Sequence, residues 1–374
     1  MNASVVITCF NYERWVGGAI DSSLAQTHRP LEVIVVDDGS TDGSREVIES
    51  YGDAVRTEFK ENGGQTSALN AGWSAASGEI VCFLDADDTL DARAIEHAVE
   101  AFADPAVVKV HWPLREVDAD SQPTGDLRPP SRLAEGDLRP CLLAEGPESF
   151  TWVATSGNAY RRALLDRLMP APERGGELGR ATHTDAYMAT LAPLFGQMAR
   201  LDEPHGCFRV HGGNHTAGRA FDDVLALRTD CFDFRCGVLA EWCERLGLPA
   251  DPEGWRERSW LHRFPRLRAE IEALVPPGAA FVLADDGQVG DQVAPGRRAI
   301  PFTERGGEYW GPPADDADAL GSLARARAAG AEWLIVAWPA FWLFDCYPGF
   351  ADHARRELQP LHRSDLLHAY GLHA

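Results

Sequence analysis

Three acidic residues follow a short apolar segment in the N-terminal half of the chain. Residues 79–84 are predicted to form a strand, and Asp85, Asp87 and Asp88 come directly after it. Ligands of open α/β sheets bind beyond the carboxyl ends of the strands. Hard divalent cations prefer oxygen ligands and often share them with the phosphates of a bound substrate. The three acids therefore indicate a cation site for a diphosphate, although an Asp-x-Asp triplet is equally common in solvated turns.

Polar segments also follow the other strands predicted in this half of the chain. The β-branched, strand-like segments are residues 4–8, 31–36 and 55–59. Helical patterns alternate with them and follow them at residues 18–26, 44–50, 66–76 and 94–102. Such alternation predicts a mostly parallel sheet, in which the carboxyl ends of the strands meet at one edge. The segments that would share this edge with the acids are Thr8-Cys9-Phe10-Asn11-Tyr12, Val36-Asp37-Asp38-Gly39-Ser40-Thr41-Asp42 and Asn62-Gly63-Gly64-Gln65.

The composition excludes some classes of function. The net charge of −22, from 35 basic and 57 acidic residues, would repel nucleic acid and anionic lipid, so we expect no nucleic-acid partner. The eight cysteines lack the paired C-x-x-C spacing of a structural zinc site and indicate reduced thiols, as in a cytoplasmic protein. The apolar segment at residues 334–343 is too short to cross a bilayer, so no transmembrane span is predicted.

The length of 374 residues predicts more than one core. We predict a large α/β domain at residues 1–220, a helical connector at 221–275 and a small α/β domain at 276–374, after the boundary signal Pro276-Pro277-Gly278. Residues 113–146 are rich in Pro, Gly, Asp and Arg, which predicts a loop-rich excursion. In the last domain, Asp285-Asp286-Gly287 resembles the Asp-Asp-Gly at residues 37–39, but a turn after a strand is the favoured interpretation.

These motifs together resemble the nucleotide-binding half of the family-two inverting glycosyltransferases, which have the GT-A fold. The resemblance covers roughly residues 2–220. It implies a Rossmann-like, mostly parallel α/β sheet and a metal-dependent transfer of a sugar, with inversion, from a nucleoside-diphosphate sugar to an acceptor hydroxyl. It further implies Mg²⁺ or Mn²⁺ as cofactor, UDP as the default nucleotide, and a place in the synthesis of cell-surface polysaccharides or glycoconjugates.

The resemblance also assigns roles to individual residues. The metal ligands would be Asp87, Asp88 and His211, the last within the segment Phe208-Arg209-Val210-His211-Gly212-Gly213-Asn214-His215-Thr216. The nucleotide and donor sugar would be contacted by Thr8, Phe10, Asn11, Asp38, Asn62, Gly63, Asp85, Ala86, Gly157 and Arg209. Among these, Asp38 would accept a hydrogen bond from the nucleobase, because uracil offers one N–H donor between two carbonyls.

Asp185 is the candidate general base. By the same resemblance it would remove the proton of the acceptor hydroxyl as that oxygen attacks the anomeric carbon. The chain departs from the family here, because Thr184 stands where an acid normally precedes the base. Capping of a helix N-terminus is the alternative role for Asp185.

Two other functions compete with this one. A sugar-nucleotide pyrophosphorylase also uses an acidic metal site, but its glycine-rich N-terminal loop is missing, since the first loop is Cys9-Phe10-Asn11-Tyr12. A catalytically inactive nucleotide- or sugar-binding or interaction module is the second alternative. The choice among UDP, dTDP and GDP stays open, as does the acceptor, which is a glycan, a lipid-linked glycan or a small molecule. Peripheral association with the inner face of the membrane also stays open.

Overall fold

The chain forms two compact units. The structure, a computed structural model, describes residues 1–173, 184–213 and 218–372. Unit 1 comprises Met1–Trp255 and unit 2 comprises Arg256–Ala374. The boundaries predicted at residues 220 and 275 stay predictions, since the units separate at Trp255 in a part of the chain that was predicted to be a connector.

The central sheet of unit 1 has seven strands in the order β10-β6-β9-β4-β1-β2-β3. All neighbouring pairs are parallel except those of β9, which runs antiparallel to both β4 and β6. The strands of this sheet are β1 (Ala3–Cys9), β2 (Leu31–Asp37), β3 (Arg56–Phe59), β4 (Ile80–Asp85), β6 (Val107–His111), β9 (Asn158–Arg161) and β10 (Gln197–Arg200).

The register of the central strands aligns their carboxyl ends. Thr8 of β1 pairs with Asp85 of β4, and Cys9 of β1 pairs with Asp37 of β2. All seven residues of β1 are buried, as expected for an apolar parallel strand that is covered on both faces. The polar segments that follow β1, β2 and β4 are consequently brought to one edge of the sheet.

Helices cover both faces of this sheet. The helices of unit 1 are α1 (Val16–Leu24), α2 (Ser44–Glu49), α3 (Gln65–Ala75), α4 (Ala94–Ala101), α5 (Arg139–Glu145), α6 (Arg162–Leu168), α7 (Thr184–Leu191) and α8 (Phe221–Leu246). The helix α3 lies close to the sheet because Gly72 has no side chain: a Cβ atom there would clash with Val6. The helix α9 (Pro252–Arg258) contains the boundary between the units.

A second sheet in unit 1 corrects the prediction for residues 113–146. This segment forms a β-hairpin and the helix α5 rather than a loop-rich excursion. The hairpin strands β7 and β8 belong to a four-stranded sheet in the order β5-β11-β7-β8. Its strands are β5 (Thr89–Leu90), β7 (Leu114–Val117), β8 (Pro123–Arg128) and β11 (Gly206–Arg209).

Unit 2 contains its own α/β sheet with five strands in the order β13-β12-β16-β18-β17. These strands are β12 (Ala280–Ala284), β13 (Arg298–Pro301), β16 (Ala331–Ala337), β17 (Gln359–Arg363) and β18 (Leu367–Gly371). A two-stranded ribbon is formed by β14 (Glu304–Arg305) and β15 (Glu308–Tyr309). The helices are α10 (Trp260–Leu274), α11 (Asp316–Ala328), α12 (Leu343–Cys346) and α13 (Pro348–Arg356).

The predicted α/β class is confirmed, with a mostly parallel sheet in unit 1 and a smaller α/β unit after it. The predicted turn at Asp285 is also observed, since its carboxylate accepts hydrogen bonds from the backbone N–H groups of Gly287, Val289 and Gly290. Within the described residues, no helix is long and apolar enough to cross a membrane.

Candidate active site

The acidic triplet forms a tight turn at the end of β4. The backbone N–H of Asp88 donates to the carbonyl of Asp85 at 3.0 Å, and the N–H of Ala86 donates to the carbonyl of Thr8 at 3.1 Å. Asp87 and Asp88 are 7% and 2% exposed, so the turn lies within the protein and is not a solvated loop. The turn places three carboxylates at the edge where β1 and β2 also end.

The carboxylate of Asp88 is held by other parts of unit 1. Its Oδ2 accepts a hydrogen bond from the hydroxyl of Ser156 at 2.6 Å, and its Oδ1 accepts one from the backbone N–H of Arg209 at 2.9 Å. Burial raises the pKa of Asp88 well above its ordinary value, and the charges of Asp87 and Asp85 add to this effect. Asp88 therefore joins the acidic turn to β11 and to the short helix Thr155–Gly157.

Asp87 lies against His211, which is 124 residues away in the sequence. The Nε2 atom of His211 is 3.0 Å from Oδ2 of Asp87. The imidazole packs on the indole of Trp15, with 4.5 Å between the ring centroids, and edge-on to the ring of Tyr12. The loop after β1 and the segment after β11 thus fix the two side chains beside each other.

These two side chains fit a divalent cation. A carboxylate suits Mg²⁺ or Mn²⁺, and a neutral imidazole is a common metal ligand. Within the part of the chain that the structure describes, no group of three or more His, Cys, Asp or Glu side chains could hold a metal ion alone. Mg²⁺ is usually bound by one or two carboxylates together with substrate phosphates, not by an all-protein cage. The arrangement fits a cation that takes further ligands from a bound diphosphate.

Asp85 has a different environment from its two neighbours. Its Oδ1 accepts a hydrogen bond from Nε2 of Gln65 at 3.0 Å. Burial, together with the charges of Asp87 and Asp185, raises the pKa of Asp85 to about 7. The candidate base, Asp185, is thus one of the charges that act on Asp85.

The loops assigned to the nucleotide are joined through Asp38. Its Oδ1 accepts hydrogen bonds from Nζ of Lys60 at 2.5 Å and from the N–H of Gly63 at 3.0 Å, and its Oδ2 accepts from the N–H of Gly64 at 2.7 Å. The carboxylate therefore shapes the loop that contains Asn62 and Gly63. Its predicted contact with a nucleobase stays a prediction.

The loop after β1 is held in the same way. The side-chain oxygen of Asn11 accepts from the N–H of Thr41 at 2.7 Å, and the N–H of Asn11 donates to Oγ of Ser40 at 2.9 Å. Asn11 has a φ of 59°, a left-handed conformation that Asn adopts more readily than most residues. Phe10 precedes it and is 42% exposed, so its ring is accessible to a ligand.

Asp185 lies in the first turn of α7 and is 8% exposed. Its Oδ1 accepts a hydrogen bond from the N–H of Ala186 at 2.7 Å. The preceding residue, Thr184, is buried, and its hydroxyl lies 2.8 Å from the hydroxyl of Thr66 on α3. A pair of neutral hydroxyls therefore precedes Asp185 at the position where the resemblance led us to expect an acid.

The guanidinium group of Arg209 joins the acidic turn to the turn between β7 and β8. Its Nε donates to the carbonyl of Asp87 at 2.8 Å, and its Nη1 donates to the carbonyl of Asp118 and to Oγ of Ser121 in the β7–β8 turn. The predicted pairing of this guanidinium with phosphate oxygens stays a prediction. The downstream part of its motif, Asn214-His215-Thr216, lies outside the described residues.

Several residues of the site were not predicted from the sequence. Trp15, Lys60 and Thr66 belong to no motif and reach the site only through the fold. Gln65 and Ser156 lie in the same sequence segments as the predicted Gly63 and Gly157, but no role was assigned to them. The only available signal was position, since most of them lie in or beside the loops at the carboxyl ends of the strands. The predicted residues Thr8, Ala86 and Gly157 do lie at this edge, where Gly157 ends the short helix that contains Ser156.

The chain is similar to known glycosyltransferases. Residues 4–167 match the family model described as glycosyl transferase family 2. The chain is 35% identical over 219 residues to an uncharacterized glycosyltransferase of Nostoc sp., covering 58% of this chain and 66% of that protein. It is 39% identical over 161 residues to a chondroitin synthase of Pasteurella multocida, covering 41% of this chain and 17% of the synthase.

Among solved structures, the chain is similar to a mannosyltransferase of Pyrobaculum calidifontis in complex with GDP-Man and Mn²⁺, with a TM-score of 0.48 and 20% identity. This similarity covers 73% of this chain and 76% of that one. The chain spans less than two thirds of the length of the Nostoc relative and a far smaller part of the synthase. Residues 4–167 are therefore a glycosyl transferase family 2 domain.

Proposed function

We propose that this protein transfers a sugar from a nucleoside-diphosphate sugar to an acceptor hydroxyl, with inversion at the anomeric carbon and with the aid of Mg²⁺ or Mn²⁺. The observation that carries the proposal is the contact between Asp87 and His211, whose side-chain atoms lie 3.0 Å apart. Asp87 lies at the edge of the sheet, within the region that matches glycosyl transferase family 2. The buried position of both side chains favours a built site over a solvated turn.

The reaction would use Asp185 as the base. The carboxylate takes the proton of the acceptor hydroxyl while that oxygen forms a bond to the anomeric carbon. The bond from this carbon to the diphosphate oxygen breaks at the same time, and its electron pair leaves with the nucleoside diphosphate. Attack opposite to the leaving group inverts the configuration.

A bound cation would supply charge neutralisation at the leaving diphosphate. Asp87 and His211 would hold it, while Asp88, whose oxygens are engaged by Ser156 and Arg209, would hold the turn in place. Asp85 would lie on the ribose side of the donor. Strand β4, which ends at Asp85, and the loop that contains Asp38 would orient the nucleoside at the same edge of the sheet.

We propose UDP-sugars as the donors and a polysaccharide or glycoconjugate as the product. The choice of UDP is supported by Asp38. Its Oδ2 accepts a hydrogen bond from the N–H of Gly64 and has one further lone pair, which could accept from the N–H of uracil. The name of the Pasteurella multocida relative, a chondroitin synthase, supports the product class. The donors dTDP- and GDP-sugars are the alternatives that the experiment must separate.

The test is calorimetric binding and donor hydrolysis with a panel of UDP-, dTDP- and GDP-sugars in the presence of Mn²⁺ or Mg²⁺. The variant Asp87→Asn removes one proposed ligand with little change in size. A matched control is Asp286→Asn in unit 2, where the carboxylate accepts a hydrogen bond from the hydroxyl of Tyr309 at 2.6 Å. We expect metal-dependent binding of one donor class that is lost in Asp87→Asn and kept in Asp286→Asn.

The same panel tests the competing function. A catalytically inactive module would bind a donor or a sugar without turnover, with and without acceptor. Donor binding that does not depend on the metal, or that survives Asp87→Asn, would overturn the proposed cation site. Absence of binding by folded protein for all three donor classes would overturn the proposed function.

A further inference from the structure

Lysine is almost absent from this chain. Of its 35 Lys and Arg residues only two, Lys60 and Lys109, are lysines. Both lie in unit 1, and Lys60 contacts Asp38 in the loop assigned to the nucleotide. Lys109 is completely buried in the middle of β6. Although nearly all basic residues of the chain are Arg, one of its two lysine ammonium groups therefore lies in the interior.

The direct hydrogen bond of Lys109 does not neutralise its charge. Its Nζ lies 3.0 Å from Nδ1 of His111, and Nε2 of His111 lies 2.7 Å from the carbonyl oxygen of Ala134. Because a carbonyl only accepts, the proton of the imidazole is on Nε2, and Nδ1 accepts from the ammonium group. Burial lowers the pKa of His111 well below its ordinary value, so this ring is neutral. A buried cation of this kind needs an anion from another element.

The sheet places Lys109 on the same face as the acidic turn. Lys109 pairs with Tyr160 of β9, and Tyr160 pairs with Val81 of β4, so their side chains point to the face that also carries Phe83 and Asp85. The ammonium nitrogen lies 5.8 Å from the centre of the Tyr160 ring. The hydroxyl of Tyr160 is buried and has no hydrogen-bond partner among the described residues.

The helices α3 and α7 cover this face of the sheet. Gly72 of α3 lies directly on Val6, which faces the same way as Phe83, its partner across β1 and β4. Thr184 at the start of α7 contacts Thr66 of α3. The next residue, Asp185, is thereby brought over the face on which Lys109 and Tyr160 lie.

Lys109 is the better of two candidates for a cationic partner of Asp185. The charge of Asp185 acts on the pKa values of several described groups, among them Asp85, Lys109, Tyr160 and Arg235. Arg235 donates to Thr190 and to the carbonyl of Pro147, and the charge of Glu148 acts on its pKa more strongly than that of Asp185. Burial lowers the pKa of Lys109 to about 7, and the charge of Asp185 acts against this decrease.

We propose that Lys109 is the buried cationic partner of Asp185 and a positioning residue that keeps this carboxylate ionised at the edge of the site. The inference rests on the proposed role of Asp185 as the base. A positive charge beneath the carboxylate favours its ionised form and offsets the negative charge of Asp85. Lysine suits this place because its ammonium group is a compact point charge that fits beside His111 and the Tyr160 ring.

The scarcity of lysine allows a direct test. Protein labelled with ¹³C and ¹⁵N in lysine gives two side-chain signals, which Lys60→Arg and Lys109→Arg assign. The pH titration of the Lys109 signal is then compared in the wild type and in Asp185→Asn. We expect the pKa of Lys109 to fall in Asp185→Asn, because the carboxylate that favours its charged form is removed, while the Lys60 signal titrates as before.

Kinetics supply the second measurement. In Lys109→Met, we expect the acid limb of the kcat profile to move to higher pH by roughly one unit, because the carboxylate loses the cation that favours its ionised form. The matched control is Arg161→Met on β9, whose guanidinium binds the carbonyls of Phe102, Asp104 and Val107. It removes a cation from the neighbouring strand and should leave the midpoint of the profile unchanged.

An unchanged Lys109 titration in Asp185→Asn would overturn the inference, as would an unchanged acid limb in folded Lys109→Met. If Lys109→Met does not fold, the comparison of wild type with Asp185→Asn decides alone. The pH titration of the labelled lysines can be measured without a sugar donor or an acceptor. A coupled titration without turnover of any nucleotide sugar would therefore contradict the proposed function and leave the Lys109–Asp185 interaction standing.

Discussion

The hydroxyl oxygen of Ser156 lies 2.6 Å from Oδ2 of Asp88, and both residues are buried. The other oxygen of Asp88 accepts from the backbone N–H of Arg209. Asp87, the preceding residue, instead presents its carboxylate to His211. Two adjacent acids thus have separate tasks: Asp88 holds the turn together, and Asp87 is available to a ligand.

Removal of the Ser156 hydroxyl should destabilise unit 1. Ser156→Ala leaves a buried carboxylate oxygen without its partner, so we expect the free energy of unfolding to fall by about 1–3 kcal/mol. Urea denaturation measures the change. In the control Ser50→Ala, the exposed hydroxyl that donates to the carbonyl of Val47 is removed, and we expect less than about 0.5 kcal/mol. Equal losses in the two variants would contradict the role of Ser156.

Trp15 should act through His211. Trp15→Ala removes the ring on which the imidazole packs at 4.5 Å, so we expect weaker metal-dependent donor binding without any change in the metal ligands themselves. A double-mutant cycle with His211→Ala should give a coupling energy of about 0.5–1.5 kcal/mol. Trp310→Ala in unit 2, where the indole is 65% exposed, is the control and should leave donor binding unchanged. Additive effects of Trp15→Ala and His211→Ala would contradict the prediction.

Two helical glycines should respond to alanine with opposite signs. In Gly72→Ala the new methyl group would clash with Val6 and lie 3.3 Å from Val36, and we expect a loss of about 1–3 kcal/mol in stability. Gly237 in α8 has no atom within 4 Å of the position of a Cβ, so Gly237→Ala should stabilise by roughly 0.5–1 kcal/mol. Thermal unfolding of both variants measures the difference.

The origin of the Gly72 effect can be checked in the same protein. Val6→Ala makes room for the added methyl group, so Gly72→Ala should cost less in the Val6→Ala background than in the wild type. If Gly72→Ala costs the same stability in both backgrounds, the close approach of α3 to β1 is not the cause.

The sequence predicted the elements whose patterns are regular. Strands β1, β2 and β4 are mostly apolar and are followed by polar loops, because parallel strands that are covered on both faces need mainly apolar side chains. The strand β8 could not be found in this way. All six of its residues are exposed, so it has no apolar periodicity, and its composition resembles that of a loop.

The site was predictable only as far as its motifs extend. Asp85, Asp87, Asp88 and His211 belong to recognisable segments, and the structure does bring Asp87 and His211 together. The contact of Ser156 with Asp88 joins residues 68 positions apart through single side chains. Such a contact depends on how β9 and β4 pair, which no local pattern reports.

Lys109 should make the stability of unit 1 depend on pH. The pKa of this lysine is about 7 in the folded protein, against an ordinary value of 10.5. Between these values the unfolded chain binds the proton and the folded chain does not. The free energy of unfolding should therefore increase as the pH rises from about 7 to 10.5, by at most about 1.4 kcal/mol per pH unit from this group. Lys109→Met lacks the group, so the difference between its urea denaturation curves and those of the wild type isolates the effect. If the difference is constant across this range, Lys109 has an ordinary pKa in the folded protein and the buried charge does not control stability.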